Sequence, residues 1–254
     1  MISLQGKSAV ITGGSRGIGA ATVKMFAEAG ADVVFNYYRS REAAREVERA
    51  AQKHGTQVAG VKAEVSRMRD AKSLVESAVK RFGRVDILVA NAGIWNAEDL
   101  PIEQMTEKQW DEMLRINVKG VYSVIHYAVP PMIEQRSGRI IAISSTAGQR
   151  GEALHSHYGA SKGAIISLVR GLSTELAPHN ILVNCVAPGW VDTDMARPAL
   201  EKASERRKVL ATIPLGRIAK PEEIAGAIAF LASDLASFVT GEVLNVNGGA
   251  VLAG

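Results

Sequence analysis

Seven short runs of β-branched and apolar residues alternate with longer amphipathic stretches along the whole chain, and this alternation leaves few folds open. The runs are Ser8–Ile11, Val33–Tyr37, Val58–Val61, Ile87–Ala90, Arg139–Ser144, Leu182–Ala187 and Val243–Val246. Most are apolar at nearly every position, as suits strands covered on both faces. Between them, helical spacing of apolar residues recurs over Gly17–Ala29, Arg41–His54, Met68–Phe82, Glu107–Met132, Tyr158–Leu176 and Pro221–Leu231. The order predicts an α/β fold: a doubly wound parallel sheet of about seven strands, right-handed crossovers and helices on both faces. No linker, repeat or biased segment divides residues 1–254, which read as one domain. The stretch Asp192–Arg217 is charged and lacks a strand between two regular regions. Irregular insertions of that length tend to be functional, so residues 192–217 are expected to form a substrate lid.

Glycine is abundant, at 24 residues, and its most informative cluster follows the first strand: Thr12-Gly13-Gly14-Ser15-Arg16-Gly17-Ile18-Gly19, opening into a helix. Strand, glycine turn and helix in that order let backbone N–H groups approach a pyrophosphate at a helix N-terminus. An ordinary tight turn is the plainer alternative, but the placement favours dinucleotide binding.

Composition removes several function classes. Hydrophobic residues make up 47% and charged residues 22%, so the chain can bury a core. The net charge of +4 is too small to indicate a nucleic-acid binder, and Arg41, Arg45 and Arg49 interleave with Glu42, Glu46 and Glu48 as on a solvated helix face. Cys185 is the only cysteine, which precludes an intrachain disulfide or a Cys-rich metal site; no catalytic metal is expected. The longest uncharged stretch, Leu176 to Val191, holds two prolines, a histidine and two asparagines and does not suit a membrane span. Without an apolar leader in the first residues, the expectation is a cytoplasmic protein binding neither nucleic acid nor membrane.

Further motifs occur in a fixed order: Asn91-Ala92-Gly93 after the fourth strand, Asn117 in the long helical pattern, Ser145 thirteen residues before Tyr158, Tyr158-x3-Lys162, and Pro188-Gly189. Together with Gly13-x3-Gly17-x-Gly19 they resemble the classical short-chain dehydrogenase/reductase family, closest in appearance to its 3-oxoacyl-acyl-carrier-protein reductases. The resemblance spans the whole chain and implies a Rossmann-type catalytic domain that interconverts a ketone and a secondary alcohol by hydride transfer. It implies that Tyr158 is the general acid/base, that Ser145 hydrogen-bonds the substrate oxygen, that Lys162 lowers the tyrosine pKa and binds the nicotinamide ribose, and that Asn117 holds a relay water. It places the cofactor against Gly13, Ser15, Arg16, Gly17, Ile18, Gly19, Tyr37, Arg39, Glu64, Val65, Asn91, Ala92, Gly93, Tyr158, Lys162, Pro188, Gly189, Val191 and Thr193. The acid that usually ends the second strand and binds the ribose hydroxyls is replaced by Tyr37, and Arg16 and Arg39 offer guanidinium groups to a 2′-phosphate. NADP(H) is therefore the expected cofactor. Glu64-Val65 stands where the family usually has Asp-Val near the adenine.

Elementary chemistry agrees with part of this. Tyr158 and Lys162, four apart on one helix, share a face. An ammonium close to a phenol favours its ionised form. Residues 94–96, residues 149–157 and the lid after Thr193 are expected to line the substrate site, with Trp95, Leu154 and Met195 offering apolar surface and Gln149, His155 and His157 polar groups. The substrate is a small or carrier-bound carbonyl compound, with 3-oxoacyl thioesters preferred over sugar, polyol, xenobiotic ketone and quinone substrates. His155 and His157 are expected to face solvent in preference to serving a proton path. Arg136 falls at one basic carrier-docking position of the subgroup, and His179 replaces the second. The family resemblance also implies a homotetramer, with the apolar ending Asn245–Gly254 at an interface. A non-catalytic cofactor sensor is the alternative of a different class.

Overall fold

A computed structural model describes residues 2–252. Its strands β1 (Ser8–Ile11), β2 (Asp32–Tyr37), β3 (Val58–Lys62), β4 (Ile87–Ala90), β5 (Gly138–Ile143), β6 (Ile181–Pro188) and β7 (Val243–Val246) form one parallel sheet in the order β3-β2-β1-β4-β5-β6-β7. The expected Rossmann-type architecture is thus present, with strand ends moved by a residue or so. Helices α1 (Gly17–Glu28), α2 (Arg41–Gln52) and α3 (Met68–Phe82) follow the first three strands, and α4 (Glu107–Leu114) and α5 (Gly120–Gln135) follow β4. Beyond β5 come α6 (Thr146–Arg150) and α7 (Ser156–Leu176), then α8 (Arg197–Leu200), α9 (Ala203–Ala211) and α10 (Pro221–Ala232).

Because successive strand side chains point to opposite faces, the apolar strands feed two cores. Ala9, Ile11, Val33, Phe35 and Val89 pack on Val23 and Phe26 of α1, Val47 of α2 and Ile224 and Ile228 of α10. The alternate residues Val10, Val34, Leu88, Ile140 and Val183 pack on Leu74 of α3, Val124 of α5 and Ile165 and Val169 of α7. Sequence order reverses between β1 and β4, where the chain turns toward β2 on one side and β5 on the other. Such a reversal opens a crevice at the carboxyl ends of the strands.

One local feature departs from the sequence reading. The helix expected over Glu107–Met132 is broken by a π-helical segment, Arg115–Lys119, whose wider turn re-aims side chains and is frequent at functional sites. The 192–217 stretch, expected as a strandless loop-and-helix insertion, contains α8 and α9. The apolar ending expected at an interface falls partly on Ala253 and Gly254, outside the described residues. Among the described residues, no helix is long and apolar enough to cross a membrane.

Candidate active site

The crevice holds a cavity of about 670 Å³. Every residue assigned above to the cofactor lines it, as do Ser145, Tyr158 and Lys162; Asn117 does not.

The nucleotide end is built from main chain. The Thr12 hydroxyl accepts the N–H groups of Asn91 and Ala92, each at 2.9 Å, and the Asn91 amide donates to Thr12 O at 2.9 Å. The β1 and β4 ends are thereby tied together. Asn36, buried in β2, accepts the Gly13 N–H at 2.9 Å and donates to Ala63 O at 2.8 Å, fixing the loop from the other side. Gly17 adopts φ +53°, and a side chain there would point at the Thr193 methyl across the cleft, 3.1 Å away. At Gly19 a Cβ would fall 2.1 Å from the Gly13 carbonyl oxygen, so only glycine lets α1 begin this close to the turn. Helix α1 has no side-chain cap and no acidic residue in its first turn. Its free N–H groups and positive end thus remain available to an anion, and the glycine cradle fits a dinucleotide pyrophosphate.

At the β2 end of the cleft, Tyr37 closes the strand and Arg16 and Arg39 are exposed on the rim. The Arg39 guanidinium lies 5.5 Å over the ring of Tyr38. Glu64 differs from its expected role. Its carboxylate is bound by Arg115 and Ser66 and ion-paired to Arg67 at 2.8 Å. Burial alone would raise its pKa, but the Arg115 and Ser66 hydrogen bonds and the positive charge of Arg67 hold it below the usual value. The acid expected to face an adenine amino group is neutralised by its own chain.

At the other end, Ser145 caps α6 and accepts the Ala147 N–H at 3.1 Å, leaving its hydroxyl proton to donate. Its hydroxyl stands close enough to that of Tyr158 to lower the proton affinity of the phenol. The two meet because α6 lies directly on α7: a Cβ at Gly148 would come within 2.6 Å of the Lys162 carbonyl carbon. Ser144, one residue earlier, donates to Lys162 O at 2.8 Å and pins α7 to the end of β5.

The expected depression of the tyrosine pKa is reversed. Burial pushes Tyr158 up to about 12, with the Ser145 hydroxyl opposing the rise and the Glu152 carboxylate adding to it. Burial also brings Lys162 down to about 8. The Lys162 ammonium donates to Ile143 O at 2.9 Å and lies 5.8 Å from the Tyr158 ring centroid, so its charge serves a carbonyl rather than the phenol. Asn117 is likewise committed inside the protein. Its Oδ1 accepts the Ile94 N–H at 2.8 Å, and its Nδ2 donates to Ile94 O at 3.0 Å and to Ser161 Oγ at 3.1 Å. The fully buried amide clamps the chain after β4 to α7, and its side chain does not face the cleft.

The substrate walls match the expectation in part. Trp95 and Met195 line the cavity. Leu154 is exposed and Gln149 donates to Asn245 Oδ1 at 2.6 Å, so neither contributes. His155 and His157 are buried rather than solvent-facing. Burial, with the nearby His155, lowers the His157 pKa. Residues the sequence reading missed include Asn36, Tyr38, Arg115 and Trp190. Asn36 had a visible signal, a polar residue inside the apolar run DVVFNY; Tyr38 just after β2, Arg115 at the start of the π-helical segment and Trp190 just after β6 come to the wall from parts of the chain far apart in sequence.

Residues 13–251 match the family described as Enoyl-(Acyl carrier protein) reductase. The chain is 41% identical over 249 residues to the 3-oxoacyl-acyl-carrier-protein reductase of Thermotoga maritima, covering 98% of this chain and 99% of that one. It is 39% identical over 243 residues to the protein of the same name from Staphylococcus aureus, covering 96% and 97%. Among solved structures, a dehydrogenase/reductase from Sinorhizobium meliloti 1021 is similar with TM-score 0.91 and 36% identity over 99% of this chain and 97% of that one. Levodione reductase is similar with TM-score 0.91 and 30% identity over 96% and 97%.

Proposed function

Because the chain belongs to the short-chain dehydrogenase/reductase family of oxidoreductases, we propose that it reduces a ketone to a secondary alcohol with NADPH, with Tyr158 as the proton donor. The observation that carries this reading is the joining of the Ser145–Tyr158 hydroxyl pair and the glycine cradle in one cavity. Two hydroxyls beside each other suit a single acceptor oxygen, which favours carbonyl reduction over reduction of a carbon–carbon double bond.

When bound, the cofactor supplies the hydride. Ser145 donates a hydrogen bond to the substrate oxygen while Ala147 N–H holds its Oγ in place. Tyr158, with its pKa raised to about 12, stays protonated through the neutral range and delivers its proton to that oxygen. Lys162 sits beside Gly93 at the junction of the two ends and binds the nicotinamide ribose. Asn117 acts as a positioning residue through Ile94. Val191 and Thr193 hold the carboxamide side, and the 192–217 segment closes over the substrate as a lid. NADP(H) is favoured over NAD(H) by the missing acid at Tyr37 and by Arg16 and Arg39.

The names of the Thermotoga and Staphylococcus relatives favour a 3-oxoacyl thioester as substrate, with Arg136 near the docking face of an acidic carrier. We further propose a cytoplasmic homotetramer. Tyr158→Phe tests the mechanism: general acid catalysis contributes roughly 10²- to 10⁴-fold, and a loss of that size is expected in NADPH oxidation with acetoacetyl thioester, with NADPH affinity retained. Unchanged turnover would remove Tyr158 from the reaction, and no turnover with any carbonyl would favour a cofactor sensor.

A further inference from the structure

One charged group on the wall of this cavity has no task in the mechanism above. Glu152 lies in the turn between α6 and α7, six residues before Tyr158, and lines the cavity with Trp95, Trp190 and Met195. Among the described residues no arginine or lysine stands within 4.0 Å of its carboxylate. The nearest ionisable partner is the His155 imidazole at 3.8 Å, beyond hydrogen-bond distance.

The surroundings hold this carboxylate still. His155 is buried and stacks on Trp95, with ring centroids 5.1 Å apart and 28° between the planes. Trp190 meets Trp95 edge-on at 5.7 Å. Burial raises the pKa of the carboxylate, while the His155 and Arg150 charges and the neighbouring Trp95 side chain work to lower it. A carboxylate has about four acceptor positions, more than the Trp95 side chain can fill, which leaves acceptor capacity for a ligand in the cavity. Its charge also acts against the chemistry nearby, since it raises the proton affinity of Tyr158 and opposes negative charge building on a carbonyl oxygen. A cavity-wall carboxylate that hinders the proton transfer and has no cation in direct contact, with Arg150 acting on it only through space, is best explained by what it binds.

We infer that Glu152 is a specificity-determining residue that accepts a hydrogen bond from a hydroxyl group next to the reacting carbonyl, so that the site prefers α-hydroxyketones to ketones without a donor. The inference rests on the ketone-reductase reading above and narrows its substrate class. Hydroxyacetone and butanone form the test pair, because they differ by a hydroxyl in place of a methyl. Hydroxyacetone is the more electrophilic of the two, so the decisive quantity is the change in the ratio of their kcat/KM values on substitution at Glu152.

A buried polar site loses much of its discrimination when its polar partner is removed, and a hydrogen bond to a charged group sets the scale. Glu152→Ala is therefore expected to reduce the hydroxyacetone-to-butanone ratio roughly 10- to 100-fold, mainly through KM for hydroxyacetone. Glu152→Gln keeps an acceptor oxygen and is expected to retain part of the preference. NADPH affinity, measured alongside by fluorescence, reports whether the variants keep the fold. A ratio that Glu152→Ala leaves within twofold of wild type, or parallel losses on both ketones, overturns the assignment. Wild-type protein that oxidises NADPH with neither ketone nor acetoacetyl thioester would instead overturn the ketone-reductase reading itself, and this inference with it.

Discussion

The two ends of the cleft are made of different materials. The nucleotide end is main chain held by a few buried polar side chains: Thr12 and Asn91 tie β1 to β4, and Asn36 ties the glycine turn to β2. The substrate end is side chains on short segments, with Trp95, Glu152, and Trp190 together with Met195 arriving from three different loops. A ligand held by backbone N–H groups demands little of side-chain identity beyond glycine where a Cβ would intrude. A ligand held by side chains can be exchanged for another by changing one residue. The first end therefore specifies a cofactor class, while the second is where members of one fold come to differ in substrate.

Substitutions can separate these ends. The largest effect is expected at Gly19→Ala, whose Cβ would meet a backbone oxygen at 2.1 Å. Overpacking against backbone that cannot yield costs about 1–3 kcal/mol or more, and NADPH titration should give an affinity lower by at least about tenfold, rising to no measurable binding. Phe35 lies fully buried beneath the turn, its side chain 2.6 Å from where a Gly14 Cβ would sit. Phe35→Ala is expected to lower stability by about 3–5 kcal/mol in urea unfolding and to weaken NADPH binding, because the turn loses its floor. Equal NADPH affinity in that variant would mean that polar ties alone hold the loop.

Lys162 stands between the ends, and its pKa makes a signed prediction. In the unfolded chain it keeps its proton to about 10.5, and in the fold only to about 8. Between those values unfolding takes up a proton, so this group's contribution to stability rises with pH. Lys162→Met removes a desolvation cost of up to about 3 kcal/mol at neutral pH, less the Ile143 hydrogen bond it also removes. The variant should gain stability relative to wild type at pH 7 and lose that advantage by pH 10. An advantage independent of pH would place the ammonium in a better-solvated setting. The smallest effect is expected at the rim, where Arg16→Ala should weaken NADPH binding about tenfold, the scale of one hydrogen bond to a charged group, and leave NADH nearly unchanged. Equal losses on both cofactors would break the 2′-phosphate reading.

Legibility in the sequence followed the same division. The strands and most helices were readable because Val, Ile and Leu at strand or helical spacing have one way to be buried. The long helix was readable only as a period; the π segment that turns Asn117 inward leaves no compositional mark. The glycine turn was readable because its chemistry is local to eight residues. Glu64 was correctly placed at the cleft, but its neutralisation by Arg115 depends on a contact across 51 positions. His155 and His157 looked like loop residues open to solvent, and only the stacking of Trp95 on His155 explains the burial of that ring. The lysine–tyrosine pair was read from helical spacing, which places two side chains on one face and says nothing of the carbonyl of Ile143 that takes the ammonium.

Local pattern and steric necessity therefore determined the parallel sheet, the reversal of strand order that opens the crevice and the glycine cradle, since each depends on residues close in the chain or on a repeated period. The protonation behaviour of Tyr158 and Lys162, the inward clamp of Asn117 and the enclosure of the Glu152 carboxylate beside Trp95 and His155 were decided by tertiary structure. Desolvation and the choice among competing hydrogen-bond partners depend on which distant segments close around a group, and no spacing along the chain encodes that enclosure.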